Sequence, residues 1–220
     1  MKKTIEVAFF DFDNTLIPYS SGTILIKHFV KLGFISRFQA LKLSFFHLLF
    51  RFGLVDVRKR MQSLLKNFEG VSQDKLEQVF KDLFDEKLKS ALSDSARREI
   101  EYHRAKNRKI VMVSNNLLPL LSPTIKEWHF DDIIANEYLV KDGLLTGDYS
   151  KDLCVEKGKY SRLKDLTYFE QIDFQNSFFY TDSYYDLALL EKVGRPKPVN
   201  VDFKLRLWAK VRGHQIVSWR

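Results

Sequence analysis

Phe9-Phe10-Asp11-Phe12-Asp13-Asn14-Thr15 is the stretch on which the reading of this chain turns. Two carboxylates, one residue apart, follow the short apolar run from Ile5 to Phe10, which only Glu6 interrupts. A run of that length suits a buried strand. At the carboxyl ends of such strands α/β proteins place their ligand sites. The backbone bends there, so strand alternation no longer dictates where Asp11 and Asp13 point, and both can reach one small site. Such a pair can divide the labour, one attacking as nucleophile while its neighbour handles protons. A divalent cation would neutralise the pair and hold an anionic substrate against it. The plainer alternative is a solvated turn after a strand, so a motif this short needs company.

Three further segments supply it. Lys109 leads into the apolar run Ile110-Val111-Met112-Val113, which stops at Ser114-Asn115-Asn116. A hydroxyl and two amides are neutral donors suited to a phosphoryl oxygen. Ser114 is equally suited to capping a following helix, and a helix N-terminus is itself an anion site. Lys157-Gly158-Lys159 opens a helix with Leu163 and Leu166 on one face. A lysine there can neutralise a phosphoryl group or simply be solvated. Phe178-Phe179-Tyr180-Thr181 is an aromatic strand ending in Asp182, with Asp186 one helical turn further on. Paired acids after a strand suit a cation, or a capped helix with a surface acid.

In that order, Asp-x-Asp, Ser, Lys and Asp-x-x-x-Asp resemble the haloacid dehalogenase superfamily of phosphatases, over nearly the whole chain. The closest likeness is to the phosphoserine-phosphatase-like branch, subfamily IB. The resemblance implies an α/β fold, a doubly wound Rossmann-like parallel sheet with an inserted helical cap. It implies a phosphomonoesterase working through an aspartyl-phosphate. Asp11 would be the nucleophile and Asp13 the acid/base. Ser114, with Asn115, would bind phosphate, and Lys159 rather than Lys157 would steady the intermediate. Mg²⁺ would sit on Asp11, the Asp13 carbonyl and Asp182, with Asp186 orienting its shell. Residues 135–148 resemble that branch's β-hairpin flap, with a turn at Asp142-Gly143.

The departures concern substrate. Where the branch grips a substrate amine with a Glu, this chain has Ser20. Ser-Gly-Gly becomes Ser114-Asn115-Asn116, and an Asn of the fourth motif becomes Tyr185. A basic triplet that grips the substrate carboxylate survives as Arg58-Lys59-Arg60, with Arg60 the closest match. The expected substrate is therefore a small phosphorylated compound other than phosphoserine, with a lipid-like ester among the open choices.

The chain has 220 residues, 45% hydrophobic and 29% charged, which suits a soluble globular protein with a sizeable core. One cysteine, Cys154, excludes an internal disulfide framework and fits a reducing cytosol. A small buried apolar role suits it better than a catalytic one. No signal peptide is expected, because Asp11 ends the first apolar run. A cytoplasmic location is expected, with peripheral attachment to the inner membrane surface as an addition. The net charge of +8 is uneven: residues 14–55 contain no acid, and Asp202 is the only one after Glu191. A basic surface can attract phosphorylated substrates, nucleic acid or anionic membrane. No nucleic-acid partner is expected, a weak membrane association stays open, and the oligomeric state is undetermined.

Residues 1–16 and 91–220 are expected to form the core and residues 17–90 a helical cap. Helices are expected near 21–33, 36–52, 55–68 and 73–90, with breaks at Gly33, Gly53 and Gly70. A cap placed there would select substrate and exclude water. Its second helix is Phe- and Leu-rich with only basic charges, and too short and interrupted to span a bilayer. Burial between helices is the first expectation for it, an interfacial surface the second. Two rivals accompany the phosphatase reading. One is a phosphotransferase or phosphomutase using the same aspartyl-phosphate; the other is an inert phosphatase scaffold binding a membrane surface.

Overall fold

The computed structural model describes residues 4–51 and 57–219, without the side chains of residues 44, 46–51, 57 and 60. The chain opens with β1 (Val7–Phe10) and continues through four helices, α1 (Ser21–Lys31), α2 (Arg37–Arg51), α3 (Val57–Lys66) and α4 (Gln73–Leu83). A wide turn at Phe84–Leu88 prolongs α4. Then follow α5 (Asp94–Ala105), β2 (Lys109–Leu117), the short α6 (Leu118–Leu121) and α7 (Pro123–Glu127), and β3 (Asp132–Asn136). The hairpin β4 (Tyr138–Lys141) and β5 (Leu144–Tyr149) precedes α8 (Lys157–Arg162), β6 (Phe178–Thr181) and α9 (Leu187–Leu190). β7 (Arg195–Pro198) and α10 (Phe203–Val211) close the chain.

Five strands form one sheet in the order β3-β2-β1-β6-β7, and every pairing in it is parallel. The strands alternate between two apolar layers, as a period of two demands. Ala8, Phe10, Ile110, Met112, Phe178 and Tyr180 face one cluster. Val7, Phe9, Val111, Val113 and Phe179 face the other. Phe10 stacks on Tyr180 with ring centroids 4.6 Å apart. β1 therefore sits at the centre, covered on both faces, and the chain leaves its carboxyl end directly into Asp11. This is the α/β parallel sheet expected from the sequence.

The first layer extends into the helices after β1, where Phe29, Leu65, Phe68, Leu76, Phe80 and Leu83 join the same cluster. Each helix of the 17–90 segment falls within a few residues of its expected span. α2 departs from expectation: Ala40 and Leu43 pack toward the core, but Phe38, Leu41 and Phe45 are exposed. Over its described side chains, therefore, this helix is not buried all round. Arg60 lies on α3, but its side chain falls outside the described residues.

The β4–β5 turn places Asp142 and Gly143 at φ of 52° and 76°, the left-handed pair a two-residue hairpin needs. The hairpin starts at Tyr138 rather than at residue 135, because Ala135 and Asn136 complete β3. It is tied to the helical segment: the Leu145 amide donates to Val71, that of Gly70 to Leu145, and the Tyr149 hydroxyl to the Met61 carbonyl. Among the described residues no helix is long and apolar enough to cross a membrane.

Candidate active site

The loop after β1 is shaped by two backbone demands. The Asp11 amide donates to the Tyr180 carbonyl at 2.9 Å, keeping Asp11 registered on β6. Asn14 then takes φ 54°, a conformation that asparagine tolerates better than most residues. Asn200 fixes this bend by donating to the Asn14 carbonyl at 2.7 Å. Asp11 and Asp13 emerge from the turn toward the ends of β2 and β6.

Lys159 is buried, and its Nζ lies 2.7 Å from Asp11 Oδ1 and 2.7 Å from Asp186 Oδ2. Asp186 also accepts from the Thr181 hydroxyl at 2.6 Å. Its bonds are therefore to Lys159 and β6. Lys157, two residues earlier on α8, is exposed. Lys159 reaches the site because Gly158 lets α8 approach the chain: a Cβ at Gly158 would stand 1.9 Å from the Leu153 carbonyl oxygen. Burial alone would lower the Lys159 pKa, but Asp11 and Asp186 outweigh it and keep the ammonium charged.

Asp13 is held differently. Its Oδ1 accepts from the Ser21 amide at the start of α1, at 2.7 Å. Its Oδ2 accepts from Asn116 Nδ2 at 3.3 Å. The same Asn116 amide donates to Ser114 Oγ at 3.3 Å, and its backbone N–H does so at 3.2 Å. Ser114 lies within β2 and is buried, so it caps no helix.

Among the described residues the site is short of positive charge, with Asp11, Asp13, Asp182 and Asp186 all close enough to Lys159 for its ammonium to act on them or through them. Burial pushes the Asp11 carboxyl up to about 7 despite Lys159, with Asp186 adding to the push. Burial, then Asp11 and Asp186, hold Asp182 well above the carboxylate range. Burial also raises Asp13, against the bonds from Ser21 and Asn116. Among the described residues no group of three acidic, His or Cys side chains is poised as a cage around a metal. Two carboxylates and a main-chain carbonyl with surplus negative charge are nevertheless a donor set that suits a hard divalent cation.

The residues expected to choose substrate are more scattered. Ser20 is the residue before α1 and makes no capping bond with its side chain. Tyr185, like Met61 and Tyr149, packs against the pair Leu153 and Val155. In the basic triplet the Arg58 guanidinium stands over α8, 3.6 Å from where a Gly158 Cβ would be. It pairs with Glu156 at 3.8 Å. Asn115 gives its carbonyl to Asn136 at 2.7 Å, whereas its neighbour Asn116 reaches Asp13 and Ser114. The sequence offers both amides as donors and the resemblance singles out Asn115; the structure gives the contacts with Asp13 and Ser114 to Asn116. Ser21, Thr181 and Asn200 follow only from the fold. Cys154 is buried, with its thiol pushed up to about 12 by burial, in keeping with a packing role.

A parallel sheet with paired carboxylates just after its central strand, a buried lysine and a second acid pair just after the neighbouring strand suits the α/β hydrolases. Residues 8–191 match the family model of the haloacid dehalogenase-like hydrolases. The chain belongs to that family. It is 28% identical over 215 residues to a probable phosphatase of Mycobacterium tuberculosis, covering 96% of this chain and 75% of the relative. Its fold matches a Bordetella pertussis protein of unknown function with a TM-score of 0.86, at 22% identity, covering 99% of this chain and 100% of the other. A phosphoserine phosphatase solved as a phospho-aspartyl intermediate analogue matches with a TM-score of 0.72, at 18% identity, covering 99% and 95%.

Proposed function

We propose that the enzyme hydrolyses a phosphomonoester other than phosphoserine in two steps, with Asp11 as nucleophile. The observation that carries this is the position of Lys159, 2.7 Å from both Asp11 and Asp186. Asp11 attacks phosphorus and forms an aspartyl-phosphate while the ester oxygen leaves. Asp13, whose pKa burial raises, gives that oxygen its proton. It then takes a proton from the water that cleaves the aspartyl-phosphate. Lys159 offsets charge on the phosphoryl oxygens, and Ser114 supplies a neutral hydroxyl on the β2 side. Asp186 and Thr181 hold Lys159 in line. Mg²⁺ bound by Asp11, Asp182 and the Asp13 carbonyl would neutralise the phosphoryl group further.

On the substrate side, Ser20 offers no carboxylate to an ammonium group. The cap supports an ester with an apolar, lipid-like group. Between α1 and α2 lies a groove of about 350 Å³, lined by Ile26, Val30, Ala40 and Leu41 with Lys27 and Arg37. Lys27 lies six residues along α1 from Ser21, roughly 9 Å at the helical rise. A panel of phosphorylated metabolites, run with Mg²⁺ and with EDTA, tests the proposal. Turnover restored by Mg²⁺ and best on lipid phosphates is expected. Undiminished turnover in EDTA would refute the metal assignment, and no hydrolysis of any phosphomonoester would refute the whole reading.

A further inference from the structure

α10 presents two unlike faces. Leu205 and Ala209 are buried, and Asp202 caps the helix through the Leu205 amide at 2.7 Å. On the other side Phe203, Leu207 and Val211 are 81%, 58% and 79% exposed. Four-residue spacing places them in one stripe. At about 100° per residue, Arg206 and Lys210 border that stripe on one side and Lys204 on the other. All three cations are exposed, and none is in an ion pair with a described residue. Phe203–Val211 contains no acid.

We propose that α10 docks the enzyme on an anionic lipid bilayer. The stripe would enter the headgroup boundary while the bordering cations meet lipid phosphates. The helix is already fixed to the folded core, so binding need not order it. A nucleic acid would match the cations but leave three apolar side chains without purpose. A second copy would set cation against cation across the contact. The helix also starts beside the site: the Asp202 amide donates to the Asp182 carbonyl at 2.8 Å, and the Tyr184 amide donates to the Asp202 carboxylate at 2.8 Å. The start of α10 is therefore bonded to the loop that carries Asp182. The proposal rests on the helix face alone and holds whatever the substrate.

Vesicle co-sedimentation of the whole chain tests it. Binding is expected to equimolar phosphatidylcholine–phosphatidylglycerol vesicles, about tenfold weaker or more on phosphatidylcholine alone, and reduced by salt. Phe203→Ser/Leu207→Ser should weaken it roughly tenfold, and Lys204→Glu/Arg206→Glu/Lys210→Glu should abolish it. The altered side chains are all exposed, and thermal melting checks that both variants stay folded. No binding to anionic vesicles at low salt, or equal binding by wild type and both variants, overturns the proposal. So does tighter binding to a single-stranded oligonucleotide than to vesicles, or a dimer that Phe203→Ser/Leu207→Ser dissociates. Turnover of para-nitrophenyl phosphate is measured apart from these and bears only on the phosphatase reading.

Discussion

Asp11 and Lys159 are matched residue to residue: a buried carboxylate at a strand end, and a buried ammonium 2.7 Å away that is shared with Asp186. Asp11→Asn keeps the shape and removes the nucleophile. It should abolish turnover of any phosphomonoester, by many powers of ten, while melting close to wild type. Wild-type rates in purified Asp11→Asn would sink the assignment. Lys159→Ala removes the ammonium that Asp11 and Asp186 share, and kcat should fall on the order of a hundredfold to a thousandfold. Lys157→Ala, on an exposed side chain, should stay within about twofold of wild type. The reverse ranking would move the role to Lys157. Arginine should not rescue position 159, because a planar fork cannot replace a compact ammonium bridging two carboxylates.

Among the elements, α8 depends on the smallness of Gly158. A methyl group there would meet the Leu153 carbonyl oxygen at 1.9 Å, so α8 must shift and take Lys159 with it. Gly158→Ala should therefore lower the melting temperature and reduce kcat together. Unchanged kcat in a destabilised variant would show that Lys159 tolerates the shift. α5 carries a second dependence. His103 is buried between Tyr180, 2.8 Å from Nε2, and Arg108, 3.3 Å from Nδ1. Tyr180 donates onward to Glu99, so Nε2 carries the proton and Nδ1 accepts from Arg108. Burial, then Arg108 and Lys197, lowers the His103 pKa from 6.5 to about 3. The folded state thus keeps His103 neutral where the unfolded chain takes a proton. Stability should fall as pH drops below 6.5, by up to about 1.4 kcal/mol per pH unit from this group. His103→Gln should flatten that part of the slope between pH 7 and 5. Denaturant melts at stepped pH would measure it, and parallel slopes for the two proteins would rule it out.

For the whole molecule the expected outcome concerns choice of substrate. Phosphoserine should be turned over at least about a hundredfold less well than the best ester in a panel. An ammonium group enclosed without a carboxylate partner costs a few kcal/mol. Phosphoserine as the best substrate would reverse the reading of Ser20. The sheet and the reactive cluster were legible because apolar runs ending in Asp or Ser, and a Lys-Gly-Lys opening a helix, are local patterns. The Asp11 and Asp182 strand ends could be placed side by side only through parallel pairing, which motif order implied. What escaped was set by backbone detail and by contacts between distant segments. Neither the helix-opening amide of Ser21 nor the bond from Asn200 to the Asn14 carbonyl has a sequence signature. The outward turn of Phe38 and Leu41 was hidden too, because an all-apolar helix reads as buried unless its neighbours are known.

Asp13 and Asp11 are anchored to different parts of the molecule. Asp11 is held by β6 through its amide and by Lys159 of α8 through its carboxylate. Asp13 takes its shorter bond, 2.7 Å, from the first amide of α1, and its longer one, 3.3 Å, from Asn116. In the proposed chemistry the proton-handling group is therefore positioned from two sides, by the first turn of α1 and by the end of β2, whereas the nucleophile takes its partner from α8. A change that displaces the start of α1 reaches proton transfer through Asp13 without touching the bond between Asp11 and Lys159.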